Sequence, residues 1–201
     1  QKTYNGVALL VKDGLAGDQV GRGFVDGGDD EQARMIHALV RGLRVVSVYV
    51  PNGQDVGTDK CQYKLAWLAR LAAWAAARVA AGESLLICGD MNVAPTDDDV
   101  WDAGKWREQI LCSTAERSGL SEVLARAHLI DAVRAVNQTP ALYTWWDYRG
   151  VSFFRNWGLR IDHIFASDRL RPRMTSAQVD RDERKGEQPS DHAPVLCDLS
   201  D

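Results

Sequence analysis

The stretch Ser84-Leu85-Leu86-Ile87-Cys88-Gly89-Asp90-Met91-Asn92 decides the fold class of this 201-residue chain. Its first residues form an apolar run of the kind found in buried strands, and the polar sequence Gly-Asp-x-Asn follows at once. Asp90 and Asn92 stand two residues apart at the strand end, so their side chains can project in the same direction. Alone, the pattern fits a capped or paired carboxylate as well as it fits a functional site.

A second informative stretch is Pro189-Ser190-Asp191-His192-Ala193-Pro194, near the end of the chain. The two prolines hold the backbone between them in an extended or turn conformation. An acid–histidine pair fixed beside a strand is suited to proton transfer or to metal-assisted attack by water. The simpler interpretation of this dipeptide is a polar turn that caps the last strand.

A third stretch, residues 158–167, places one acid, Asp162, inside an otherwise apolar run. Asp90, Asp162 and Asp191 therefore all stand at predicted strand ends within one chain. Because three such strand ends are hard to explain separately, we predict that they meet in a single polar site.

The remaining elements indicate one α/β domain over residues 1–201, with strands and helices mixed along the chain. An alanine- and leucine-rich run closed by Gly82 predicts the longest helix. The predicted strands are residues 6–11, 43–50, 84–88, 143–146, 159–166 and 194–199, and the predicted helices are residues 60–81, 118–127 and 130–134.

Composition agrees with an intracellular enzyme: 45% of residues are hydrophobic and 26% are charged. No apolar run approaches membrane length, so we expect no membrane association. The four cysteines are isolated, without Cys-x-x-Cys spacing, which favours reduced thiols and a cytoplasmic location over disulfides or zinc.

The net charge of −4 is unusual for a protein that binds DNA, but the distribution of charge matters more than its sum. We predict a basic surface beside an acidic pocket, which would suit a phosphodiester substrate. An ordinary mixed-charge surface is the alternative. The proposed basic residues are Lys60, Lys64, Arg149, Arg155, Arg160, Arg169, Arg171 and Arg173.

Six motifs, in order along the chain, resemble the exonuclease III family of apurinic/apyrimidinic endonucleases, within the endonuclease–exonuclease–phosphatase superfamily. Gly-Asp-x-Asn is shared across the superfamily, whereas the Trp-x-Asp-Tyr-Arg and Gly-Leu-Arg-Ile-Asp pieces are specific to the exonuclease III branch. The motifs are Asn5-Gly6-Val7-Ala8, Tyr49-Val50-Pro51-Asn52-Gly53, Gly89-Asp90-Met91-Asn92, Tyr143-Thr144-Trp145-Trp146-Asp147-Tyr148-Arg149, Asn156-Trp157-Gly158-Leu159-Arg160-Ile161-Asp162-His163 and Pro189-Ser190-Asp191-His192-Ala193-Pro194.

The resemblance implies a four-layer α/β sandwich of two facing mixed β-sheets with outer helices. It also implies an N-terminal truncation, because the chain aligns to the family only after the strands that carry a metal-site Asn and a metal-binding Glu. One sheet is then expected to be incomplete, and Glu31 lies in a segment that matches a different part of the family. A divalent cation held by fewer carboxylates should bind more weakly.

The same resemblance assigns roles to residues of this chain. Mg²⁺ or Mn²⁺ is the implied cofactor, Asp90 the general base or water-orienting group, and Asp162 the partner that orients His192. The implied catalytic residues are Tyr49, Asp90, Asn92, Asp162 and His192. The implied metal-site residues are Asp90, Asn92, Asp191 and His192. The implied substrate-binding residues are Asn52, Trp145 and Arg149.

The implied function is a DNA repair nuclease that hydrolyses the phosphodiester 5′ to abasic sites, with 3′→5′ exonuclease and 3′-phosphatase or phosphodiesterase activity. Its expected partner is double-stranded DNA with abasic sites or 3′ ends, bound by a monomer. One alternative is a phosphatase or phosphodiesterase of the same superfamily that acts on a lipid or small molecule. Another is a fragment that binds DNA without turnover because it lacks the metal-binding Glu, or that does not fold stably.

Overall fold

A computed structural model describes residues 6–15, 17–28 and 32–201 of the chain. The strands are β1 (Gly17–Arg22), β2 (Met35–Val40), β3 (Leu43–Tyr49), β4 (Ser84–Asp90), β5 (Leu129–Asp131), β6 (Asp162–Ser167), β7 (Met174–Val179) and β8 (Val195–Leu199). The α-helices are α1 (Asp59–Ala80), α2 (Ala103–Trp106), α3 (Thr114–Arg126), α4 (Ala132–Val136) and α5 (Ser152–Arg155). Asn5 and Glu31, which the sequence interpretation named, lie outside the described residues.

A six-stranded mixed sheet, in the order β1-β2-β3-β4-β6-β5, carries the fold, and β7 pairs with β8 in a second sheet. β3 and β4 are parallel, so the chain must cross over between them, and the long helix α1 makes that connection. The other neighbouring strands of the large sheet are antiparallel. The predicted mixed α/β architecture is therefore confirmed, with one large sheet and one small sheet.

The helix α1 covers one face of the large sheet. It begins at Thr58, whose side chain accepts a hydrogen bond from the backbone N–H of Cys61, and it ends before Gly82, which has φ +88°. Trp67, Leu68 and further apolar residues of the helix are buried against strand residues such as Val46, Val48 and Ile87. This packing fixes the two parallel strands, whose ends carry the polar motifs.

Several predicted elements were wrong in detail. Residues 6–11 form no strand, and residues 143–146 make only isolated bridges because their pairing with Leu159 and His192 does not extend into a ladder. The predicted helix at 118–127 begins earlier, at Thr114, because Ser113 and Glu116 form a capping box there. Residues 130–134 divide between β5 and α4. β1, β2 and β7 were not predicted from the sequence.

No helix in the described part of the chain combines the length and the apolar character needed to cross a membrane.

Candidate active site

Three of the predicted site residues lie side by side where three neighbouring strands meet at one edge of the large sheet. Tyr49 of β3 is in register with Asp90 of β4, and Asp90 is in register with Asp162 of β6. Adjacent strands are about 5 Å apart, so the three residues form a short row across the sheet. The local fold therefore brings together positions that are far apart in sequence.

Asn92 forms a tight turn over Asp90. Its backbone N–H donates to Asp90 Oδ1 and its Nδ2 donates to Asp90 Oδ2, both at 2.8 Å. Its Nδ2 also donates to the carbonyl of Val50 at 3.0 Å, and its Oδ1 accepts from Asn52 Nδ2 at 3.0 Å. Asn92 thus fixes the orientation of the Asp90 carboxylate, and Asn52 is linked to the same group.

His192 joins this group through Asp162, since Nδ1 of the imidazole lies 2.8 Å from Asp162 Oδ2. The segment that carries His192 is held by backbone hydrogen bonds from Trp146 N to Asp191 O, at 3.0 Å, and from Ala193 N to the carbonyl of Thr144, at 2.7 Å. A carboxylate bonded to one ring nitrogen fixes the orientation of the imidazole. The pairing of Asp162 with His192 that the resemblance implied is present.

The pKa values of Asp90 and His192 are both shifted in this group. Burial and the like charge of Asp162 raise the pKa of Asp90 to about 7. Burial alone would lower the pKa of His192, but the hydrogen bond to Asp162 and the charges of Asp162, Asp90 and Asp191 raise it to about 9. At neutral pH the group therefore holds a protonated imidazole beside a carboxyl group that can take up or release a proton.

Trp145 contacts both residues of the acid–histidine motif, Asp191 and His192. Its indole Nε1 donates to Asp191 Oδ2 at 3.0 Å, and its backbone forms a bridge with His192. Asp191 is therefore tied to an aromatic side chain at the border of the group.

Arg149 is not brought into this group by any contact that we observe. Its side chain is 90% exposed and forms an ion pair with Asp147, at 2.8 Å.

Tyr49 lies at the end of the row that is farther from Asp162. The guanidinium of Arg34 stands 4.9 Å from the centre of the Tyr49 ring.

Two residues of the predicted basic surface are instead buried, so that prediction was wrong for them. Arg160 is 2% exposed and bonds to Asp99 and Asp131, at 2.7 and 2.6 Å. Lys64 is fully buried and bonds to Glu116. The charges of both side chains are therefore paired within the fold.

Lys64 and Glu116 were not predicted as parts of the site. The sequence Ser113-Thr114-Ala115-Glu116 has the spacing of a capping box, which would have identified the start of α3. No comparable local signal shows that Lys64 is buried.

Within the described residues, no group of three or more His, Cys, Asp or Glu side chains is arranged to hold a metal ion. The available donors nevertheless fit a hard divalent cation, because Asp90 and Asp191 supply carboxylate oxygens. Mg²⁺ is commonly bound through one or two carboxylates, with water and substrate phosphates completing its coordination.

Comparisons with known proteins agree with this geometry. Residues 1–192 match the model of the endonuclease/exonuclease/phosphatase family. Exodeoxyribonuclease III of Haemophilus influenzae is 34% identical over 210 residues, covering 99% of this chain and 78% of that protein.

Two solved structures are closely similar in fold. A 3′ phosphatase (NExo) from Neisseria, bound to a product DNA hairpin, has a TM-score of 0.89 and 39% identity, over 92% of this chain and 72% of its own. An AP endonuclease from Archaeoglobus fulgidus has a TM-score of 0.87 and 31% identity, over the same shares of the two chains.

The chain belongs to the endonuclease/exonuclease/phosphatase family. Its relatives place it more narrowly among the hydrolases of the exodeoxyribonuclease III and AP endonuclease type, which confirms the resemblance drawn from its motifs.

Proposed function

We propose that this chain is a divalent-metal-dependent DNA repair nuclease that hydrolyses the phosphodiester on the 5′ side of abasic sites. We include 3′→5′ exonuclease and 3′-phosphatase or phosphodiesterase activity in the proposal. The observation that carries it is the row of Asp90 and Asp162 at one sheet edge, with His192 bonded to Asp162. Phosphodiester hydrolysis requires an activated water, neutralised phosphate oxygens and a stabilised leaving oxygen.

Asp90 is the proposed general base or water-orienting group. Its raised pKa of about 7 suits that role, because a base works best when its pKa lies near the operating pH. Asn92 holds both carboxylate oxygens of Asp90 in position and is the proposed neighbour of the phosphate.

His192 is the proposed cationic group for a non-bridging phosphate oxygen or for proton transfer. With a pKa of about 9 it carries a proton at neutral pH, and Asp162 orients its ring. Tyr49, at the other end of the row, is the proposed hydrogen-bond donor to the phosphate or to the leaving group.

Mg²⁺ or Mn²⁺ is the proposed cofactor, with Asp90, Asn92, Asp191 and His192 as the proposed metal site. His192 would border the ion as a cation and not as a ligand, because its imidazole carries a proton at neutral pH. The carboxylates of Asp90 and Asp191 are the strongest candidates as ligands, because hard cations prefer anionic oxygen. A divalent ion at this position would supply charge neutralisation for the phosphate.

Trp145, Arg149 and Asn52 are the proposed substrate contacts. An abasic sugar has no base to unstack, so it leaves the helix at a lower free-energy cost than an intact nucleotide. Trp145 borders the group next to Asp191 and is the proposed wall for that sugar. The similar Neisseria enzyme with a bound DNA hairpin supports a DNA substrate for this chain as well. A monomeric, cytoplasmic protein remains part of the proposal.

The proposal is tested with a 5′-labelled duplex that contains one abasic site. We expect the chain to incise it in Mg²⁺ but not in EDTA, and we expect the Asp191→Asn variant to be inactive. An excess of small phosphate esters should not compete. Incision that is unaffected by EDTA, or strong competition by the esters, would contradict the proposal. Salt-dependent DNA binding without turnover would support the DNA-binding alternative.

A further inference from the structure

We propose that Lys64 is a positioning residue of the site: its buried ammonium joins the loops that carry Asn52 and Asn92, and through Asn92 it sets the orientation of Asp90. The expected effect of Lys64 on kcat rests on the proposed function, whereas its expected effect on the Asn92 side chain can be measured without turnover.

The contacts of Lys64 converge on both loops. The side chain is fully buried, and Nζ donates to the carbonyl of Asn92 at 2.6 Å and to the carbonyl of Asn52 at 3.1 Å. The third bond of Nζ is to Glu116 Oε1. An ammonium group has three donors and no acceptor, so all three are used in these bonds.

Asn92 needs such a support because its backbone is in the left-handed region, with φ +50°. Asparagine tolerates this conformation better than most residues, but the surrounding structure must still hold it. The hydrogen bond from Lys64 Nζ to the carbonyl of Asn92 restrains the backbone of this turn. The side-chain amide of Asn92 is thereby held against Val50 O and Asp90 Oδ2.

Glu116 anchors Lys64 to a rigid element. It is fully buried, its Oε1 also accepts from Leu111 N at 3.0 Å, and its Oε2 accepts from Ser113 N at 3.1 Å and from Ser113 Oγ at 2.6 Å. The bond from Ser113 N belongs to the capping box that begins α3. The charge of Lys64 is therefore balanced by Glu116, and its two other donors are left for the loops of the site.

A purely structural ion pair would stabilise the fold without affecting Asp90, and the experiment separates the two roles. Lys64→Met alone would leave the buried Glu116 carboxylate without a counter-charge, so the variant of choice is Lys64→Met/Glu116→Gln, which removes both charges together. The control is Arg44→Met, because Arg44 is also a buried cation paired with a glutamate but lies at the other end of β3.

Two readouts are compared in these proteins: kcat and KM on the abasic duplex, corrected for the folded fraction, and the NMR signals of the Asn92 side-chain amide, assigned with an Asn92→Asp variant. We expect kcat of the double variant to fall about 100-fold while KM changes little, because a misplaced catalytic group costs about that much. The Asn92 amide protons should also lose their protection from exchange. Arg44→Met should change neither readout.

An unchanged kcat per folded molecule, or unchanged Asn92 amide signals, would overturn the proposal. If the unmodified chain hydrolyses no DNA, the proposed function fails, and the amide signals alone then decide: protection that persists in the double variant overturns the role of Lys64, and its loss upholds that role.

Discussion

The two ends of the central strands β3 and β4 differ in how their charged side chains are paired. At the end where these strands begin, Arg44 of β3 forms a double hydrogen bond with Glu83, at 2.8 and 3.1 Å, which keeps the pKa of Glu83 below its usual value. At the other end, Asp90 stands beside Asp162, and burial together with that like charge raises the pKa of Asp90 to about 7. These strands therefore carry an arginine–glutamate ion pair at one end and two neighbouring carboxylates at the other.

This difference distinguishes charged side chains that stabilise the fold from charged side chains that are available for catalysis. An arginine matched by a carboxylate leaves nothing for a ligand to neutralise. Two neighbouring carboxylates beside the imidazole of His192 attract further positive charge, and Asp90 has a strongly altered pKa, which is a frequent property of functional sites. We therefore assign catalysis to the end of the strands that holds Asp90 and Asp162.

The largest effect is expected from Asp162→Asn. Asparagine keeps the shape of the side chain but cannot balance the charge of a protonated His192, so kcat should fall by about 10³-fold, within the range for loss of acid–base catalysis. The like charge beside Asp90 also disappears, so the free energy of unfolding should decrease by no more than about 1 kcal/mol. Incision rates and urea unfolding measure both quantities. A tenfold or smaller change in kcat would contradict the assignment.

Arg44→Met tests the opposite end. Removing the guanidinium leaves Glu83 with only its longer contact to Arg78, at 3.4 Å. We expect a loss of about 3 kcal/mol in the free energy of unfolding, at the low end for a buried pair because Glu83 also reaches solvent. Turnover per folded molecule should be unchanged. A loss of turnover without a loss of stability would reverse the comparison.

The smallest effect is expected from Arg149→Ala, because Arg149 makes no contact with Asp90, Asp162 or His192 among the described residues. The side chain is exposed, so we expect KM for the duplex to rise only a few-fold, with kcat unchanged and a weaker dependence on salt. Arg41→Ala is the matched control, because Arg41 is also exposed and paired with an aspartate, Asp201, and is not among the residues of the predicted basic surface. Equal behaviour of the two variants would show that Arg149 does not contact DNA.

Much of the site could be predicted from the sequence because its residues stand at strand ends. The patterns around Asp90, Asp162 and His192 each combine an apolar run with a polar end, and such ends converge at a sheet edge. β1 was missed because its sequence, Gly-Asp-Gln-Val-Gly-Arg, carries a single apolar side chain larger than glycine.

The burial of Lys64 and Arg160 could not be predicted in the same way. Charged residues are rarely buried without a partner, and the partners here, Glu116 and Asp99, lie 52 and 61 residues away in sequence. Only the folded chain shows that these cations are buried and paired.

The most direct test is to measure turnover and unfolding free energy for Asp162→Asn and Arg44→Met side by side, on one abasic duplex in Mg²⁺. We predict that Asp162→Asn loses turnover and keeps its stability, while Arg44→Met loses stability and keeps its turnover per folded molecule. If both variants lose turnover only in proportion to their loss of stability, the end of the sheet that holds Asp90 and Asp162 is not the catalytic centre.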